Sequence, residues 1–67
     1  MITLTINGKS RELEEPTGLA SYLESLGVNM KLIAVAYNGT VLRREEFPSI
    51  TLQEGDEVEI VRPVGGG

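Results

Sequence analysis

Cysteine and histidine are both missing from this 67-residue chain. Without Cys there is no disulfide staple, no thiol redox chemistry and no cysteine nucleophile, and a secreted disulfide-bonded miniprotein is disfavoured. Without His, imidazole acid–base catalysis, Ser-His pairs and the common zinc sites drop out as well, so no metal site is expected. Positive charge is scarce: six Lys and Arg stand against ten Asp and Glu, for a net charge of −4. A phosphate backbone calls for a basic stripe, which Arg43-Arg44 is too short to supply, so nucleic acid is not an expected partner. Long apolar runs are absent too. The longest, Leu32 to Tyr37, falls far short of the ~20 residues of a membrane-spanning helix, and the N-terminus lacks the basic and apolar regions of a signal peptide. These absences lead to the expectation of a soluble, cytoplasmic domain that meets other proteins. A chain this short buries only about 60% of its unfolded surface, so marginal stability is expected.

What is present reads as alternating strands and turns. Ile2, Leu4 and Ile6 alternate with Thr3 and Thr5, the period-two pattern of a strand with one buried face. Asn7-Gly8 accepts positive φ at both positions and predicts a hairpin, with a second strand running to about Leu13. Pro16 and Thr17 punctuate the chain, and Thr17 is the predicted N-cap of a helix over roughly Gly18 to Leu26. Leu19, Leu23 and Leu26 make one apolar stripe on it, and Gly27 stands where a left-handed C-cap belongs. The run Leu32 to Tyr37 is apolar on both faces, as in a strand well inside a sheet. Asn38-Gly39 marks another tight turn before a short strand over Thr40 to Arg43. Phe47 and Ile50 anchor a loop or single helical turn leading to Leu52. Glu54-Gly55-Asp56 is a turn cluster, after which Val58 and Ile60 alternate with Glu57, Glu59 and Val61 in a last strand.

Two hairpins flanking one helix allow the first and last strands to pair in parallel at the sheet centre. The expected fold class is therefore α+β, a ubiquitin-like β-grasp with about five strands in a mixed sheet and one main helix on one face. The expected core is Leu4, Ile6, Leu19, Leu23, Leu26, Ile33, Val35, Val41, Leu52, Val58 and Ile60. Residues 1–64 form the expected domain and 65–67 a flexible glycine tail.

That tail is the one place where chemistry is expected. Three residues without a Cβ reach about 10 Å when extended and accept backbone angles closed to other residues. Such an arm can thread a tunnel into another protein's active site, with the Gly67 carboxylate as the reacting group and Gly65 and Gly66 keeping its approach free of bulk. Pro63 lacks an N–H, so it ends the preceding ladder and stiffens the exit of the arm. A frayed end or an expression remnant also leaves glycines, but neither accounts for their place after this order of elements. Ala34 and Ala36 face outward if Val35 and Tyr37 face inward. Together with Val61, Arg62 and Val64 they form a candidate partner face, plain strand packing being the alternative. Arg62 either steers the arm or pairs with Glu45 or Glu46. The acidic pairs Glu14-Glu15 and Glu45-Glu46, like Glu57 and Glu59, read as solvated surface rather than as catalytic carboxylates.

Taken together, the opening Ile-x-Leu-x-Ile-Asn-Gly hairpin, Ala34-Val35-Ala36-Tyr37-Asn38-Gly39, Leu52-x-x-Gly55-Asp56-x-Val58 and the closing Pro63-Val64-Gly65-Gly66-Gly67 resemble the ThiS family, small sulfur carriers of thiamine biosynthesis. The resemblance covers essentially the whole chain. Related carriers, including the small subunit of molybdopterin synthase (MoaD), share the fold and a Gly-Gly end; the third glycine and the first Asn-Gly lean toward the thiamine branch. The resemblance implies that an E1-like adenylating enzyme of the ThiF type activates Gly67 with ATP. A sulfur donor such as a cysteine desulfurase then supplies the sulfur, and the resulting thiocarboxylate passes it to a thiazole synthase of the ThiG type. The chain would bind no cofactor itself, would be a co-substrate rather than an enzyme, and would be monomeric when free. The alternatives are a carrier for molybdopterin or tRNA thiolation, a ubiquitin-like modifier, and a β-grasp interaction module with a chemically idle tail.

Overall fold

Aliphatic residues alternating with threonines set the first strand, β1 (Ile2–Ile6), with Ile2, Leu4 and Ile6 buried and Thr3 exposed. The computed structural model describes residues 1–62. Asn7 (φ 53) and Gly8 (φ 79) both turn left-handed, as a two-residue hairpin matched to the strand twist requires. The chain returns as β2 (Lys9–Leu13), antiparallel to β1 in the register Ile2↔Leu13 to Ile6↔Lys9. β2 is an edge strand, and its Lys9, Arg11 and Glu12 oppose pairing with another chain.

Thr17 does not cap the helix. It belongs to a two-residue strand, β3 (Thr17–Gly18), and its hydroxyl donates to the Glu15 carbonyl at 2.9 Å. Gly18 is the N-cap residue and offers no side chain. The Leu19 N–H is satisfied instead by the Ile50 carbonyl at 2.9 Å, so a tertiary contact replaces the local cap. The helix α1 (Leu19–Ser25) is one residue shorter at each end than expected. Gly27 (φ 75) lies in the left-handed region just beyond it and donates to the Glu24 carbonyl at 3.0 Å, the predicted terminator.

The strand expected over Leu32 to Tyr37 is shorter. Residues Met30–Leu32 form a 3₁₀ turn, capped by the Asn29 side chain accepting from the Lys31 N–H at 2.9 Å, and β4 is Ala34–Tyr37. Asn38 (φ 49) and Gly39 (φ 87) then lead to β5 (Thr40–Val41), shorter than the expected Thr40 to Arg43. A 3₁₀ segment, Arg44–Ser49, buries Phe47 and delivers the chain to β6 (Thr51–Leu52), which pairs with β3. The last strand is β7 (Glu57–Val61).

The main sheet has the order β2-β1-β7-β4-β5. β7 runs parallel to β1 (Ile6↔Val58) and antiparallel to β4 (Ala34↔Val61 to Tyr37↔Val58). The first and last strands thus lie side by side at the centre, and α1 covers one face: a β-grasp, as the element order indicates. The core comprises Ile2, Leu4, Ile6, Leu19, Leu23, Val35, Phe47, Leu52 and Val58. Ile33 and Ile60 are only partly buried against it. Two expected core residues are outside. Leu26, at the end of the stripe, is 49% exposed because it lies past the last helical residue, on the wall of an open cleft. Val41 is 72% exposed because it pairs with Ala36, on the face turned away from α1. Apolar residues on both faces of β4 therefore did not mean cover on both faces; only Val35 is fully enclosed.

Candidate functional site

Both Asn-Gly turns reach past their own hairpins to hold β7. Asn7 donates its N–H to the Val58 carbonyl at 2.9 Å, and its Oδ1 accepts from the Ile60 N–H at 2.7 Å. Asn38 donates its N–H to the Glu57 carbonyl at 2.7 Å, while its Oδ1 accepts from the Glu57 N–H at 2.8 Å. A short side-chain amide thus continues the ladder where the backbone turns away. β7 is pinned from both sides, and the chain leaves it at Arg62 from the middle of one end of the sheet.

At the start of β7, Asp56 gathers three donors: the Tyr37 hydroxyl at 2.6 Å, the Gln53 N–H at 2.8 Å and the Asn38 side-chain amide at 3.2 Å. Burial pushes the Asp56 carboxyl up, but the hydrogen bonds from Tyr37, Gln53 and Asn38 outweigh it and hold the group below the usual carboxylate range. The same hydrogen bond to Asp56, then burial and the nearby negative charge, raise the Tyr37 hydroxyl from 10.0 to about 12. The pair locks the Glu54-Gly55-Asp56 turn. The Gly55 N–H bonds the Thr3 carbonyl at 2.8 Å and the Thr5 N–H the Asp56 carbonyl at 2.9 Å.

The proposed partner face is assembled in part. Ala34 lies opposite Val61, and Ala36 opposite both Glu59 and Val41, so these side chains share the face away from α1 at cross-strand contact distance. Val61 is 54% exposed and Val41 more so, while Ala34 and Ala36 are half-buried. Val41 is the member that sequence reasoning assigned to the core; its alternation with Leu42, which packs on the core, is the signal that places it outside. Arg62 lines the cleft beside α1, as does Val61, which thus borders both the cleft and the alanine face. Val64, Gly65, Gly66 and Gly67, with Pro63 before them, lie outside the described residues. Among the described residues no helix is long and apolar enough to cross a membrane.

Residues 4–67 match the ThiS family as a whole. The chain belongs to the ThiS family. Among its relatives is the sulfur carrier protein ThiS of Thermus thermophilus, 40% identical over 62 residues that cover 92% of this chain and 95% of that one. The crystal structure of the thiamine biosynthesis protein (ThiS) from Geobacter metallireducens superposes with a TM-score of 0.86 at 36% identity, covering 98% of this chain and all of that one. A thiazole synthase of Magnetococcus marinus is 36% identical over 62 residues, 92% of this chain but 19% of the synthase. The ThiS match takes in the glycines at 65–67, and the scaffold beneath them is the β-grasp described above. The whole chain contains no His and no Cys.

Proposed function

We propose that this chain carries sulfur for assembly of the thiamine thiazole, with the Gly67 carboxylate as the site of loading. The observation that carries the reading is the family match running through residue 67 in a chain with no cysteine or histidine of its own. A carboxylate resists nucleophiles because of its charge and its poor leaving group. Attack of a Gly67 oxygen on the α-phosphorus of ATP expels pyrophosphate and leaves an acyl adenylate. The outer sulfur of a donor persulfide then displaces AMP from the acyl carbon. A partner thiol cleaves the S–S bond of the resulting acyl disulfide and is itself oxidised to a disulfide with the donor sulfur, and the released thiocarboxylate keeps its sulfur until an acceptor takes it. An E1-like adenylating enzyme of the ThiF type supplies the charge stabilisation for the phosphoryl step, and a donor such as a cysteine desulfurase supplies the sulfur. The chain acts as a co-substrate in the cytoplasm, and Gly65 and Gly66 give the reacting end its clearance.

A thiazole synthase of the ThiG type is the proposed acceptor. In the Magnetococcus marinus thiazole synthase, a stretch similar to nearly all of this chain belongs to the same polypeptide as the rest of the enzyme. Covalent linkage raises the effective concentration of one domain at another, which supports such a pairing for separate chains. Thiamine is preferred over molybdopterin or tRNA because the named carrier relatives are ThiS proteins. The Ala34, Ala36, Val41 and Val61 face is proposed as the docking surface, since exposed apolar side chains beside the tail's point of departure can be buried by a partner.

Intact-mass measurement after incubation with ATP, a sulfur source and the adenylating enzyme tests the reading. The expected product has one oxygen replaced by sulfur at the C-terminus. Gly66→Val, and a variant with one residue added after Gly67, are expected to fold normally and stay unloaded. Loading of the extended variant would show that the free Gly67 carboxylate is not the reacting group.

A further inference from the structure

Beside α1, on the side of the sheet opposite the alanine face, lies an open cleft of about 670 Å³. Its origin is geometric. The helix has seven residues and so spans about 10 Å, whereas five strands spread over about 19 Å. The left-handed Gly27 then turns the chain away, and the β2 edge of the sheet stays uncovered. Leu26 and Leu32, 49% and 50% exposed, form its apolar walls together with Tyr22.

The charge lining this cleft is opposite to that of the molecule. Lys9, Arg11 and Arg62 line it, three of the six cations in the whole sequence. None of the ten acidic residues does. The strand register is responsible: Lys9 lies opposite Ile6 and Arg11 opposite Leu4, so both share the sheet face of core residues. They project beyond the reach of the helix into solvent.

We infer that this cleft binds a short acidic segment of a partner protein, in which one leucine or phenylalanine side chain enters between Leu26 and Leu32 while flanking carboxylates meet Lys9, Arg11 and Arg62. Charge complementarity selects this occupant. A long polyanion is repelled by the net charge of −4, whereas a short segment feels chiefly the cations within a Debye length, about 8 Å in physiological salt. The apolar walls favour a side chain over a bare phosphate. Arg62 is also the residue at which the chain leaves β7, and Val61 before it lines the rim of the cleft, so a partner held here sits at the end of β7 and leaves Ala34, Ala36 and Val41 free. The two surfaces then flank the same strand and meet at Val61, and the inference does not depend on the chemistry of Gly67.

Titration of the ¹⁵N-labelled full chain with a synthetic acetyl-Glu-Asp-Leu-Phe-Glu-Asp-amide peptide tests this. Saturable shifts are expected at Tyr22, Leu26 and Leu32, with little change at Ala34 and Ala36. The double variant Lys9→Glu with Arg11→Glu, placed on an exposed edge strand, is expected to bind about tenfold more weakly, equivalent to about 1.4 kcal/mol. Leu26→Ser is expected to weaken binding while leaving the spectrum folded. A peptide with lysine at the acidic positions is expected not to bind. Absence of saturable shifts with peptide in large excess, unchanged affinity in the double variant, or equal binding of the lysine peptide would overturn the inference. So would contacts from the chain's own glycines to the Leu26 and Leu32 methyls without peptide, or concentration-dependent shifts there from a second copy.

Discussion

Replacing Asp56 with alanine removes the acceptor of three hydrogen bonds at the turn that launches the central strand. The Tyr37 hydroxyl is left with only a long 3.5 Å contact to the Thr51 carbonyl, and Gln53 and Asn38 lose their partners. At about 1 kcal/mol per bond in this partly solvated site, rather than the larger values of buried charged pairs, the loss is about 2–3 kcal/mol. In a domain of this size the melting temperature should fall by roughly 10–20 °C. Urea unfolding at neutral pH measures the difference directly. The pH dependence gives an independent check. The folded carboxyl lies below its unfolded value, so its contribution is complete above the unfolded pKa of about 4 and disappears as the pH falls through the lower folded value. The gap between the parent and Asp56→Ala should therefore narrow on acidification. At the alkaline end the sign reverses. Tyr37 is raised from 10.0 to about 12, so its contribution is intact below pH 10 and lost as pH rises through about 12. One of the chain's two tyrosines should ionise late in an absorbance titration, and Asp56→Ala, which removes both the acceptor and the charge, should move that phase to lower pH. Equal urea midpoints for parent and Asp56→Ala at neutral pH, or a gap that persists unchanged in acid, would refute the reasoning.

Asn7→Gly keeps the left-handed turn but removes the acceptor for the Ile60 N–H, and should cost about 1 kcal/mol in urea unfolding; Asn7→Ala should cost about 1–2 kcal/mol more because a Cβ is strained there. Leu23→Ala empties a fully enclosed site and should cost about 2–5 kcal/mol, enough to give a visibly unfolded population by circular dichroism at ambient temperature. Ala36→Arg, on the face away from α1, should leave the melting temperature within a few degrees of the parent while weakening capture by the adenylating enzyme in a surface-binding assay; undiminished capture would exclude that face.

Much of the fold was legible because its determinants are local. The Ile2-Leu4-Ile6 alternation fixes which face of β1 is buried, and Asn7-Gly8 and Asn38-Gly39 fix where the chain reverses, since few residues accept those angles. Gly27 marked the helix end for the same reason. The misread elements were those whose surroundings come from distant parts of the chain. Thr17 had the chemistry of a cap but was drawn into a ladder with Leu52, and the Leu19 N–H found the Ile50 carbonyl. Leu26 followed the helical stripe past the point where anything covers it. Val41 was apolar without being inside, because pairing with Ala36 put it on the uncovered face.

The sequence by itself determined most of the strand and turn order, the absence of any thiol or imidazole, and the glycine run at 65–67. The central place of the last strand followed from the element order, but tertiary structure alone decided that two asparagine side chains and Asp56 hold it in register, and that Lys9, Arg11 and Arg62 gather at one cleft while Ala34, Ala36 and Val41 gather on the opposite face. Strand register and the short reach of a seven-residue helix are long-range consequences of packing, and no local pattern encodes what remains uncovered once the sheet is complete.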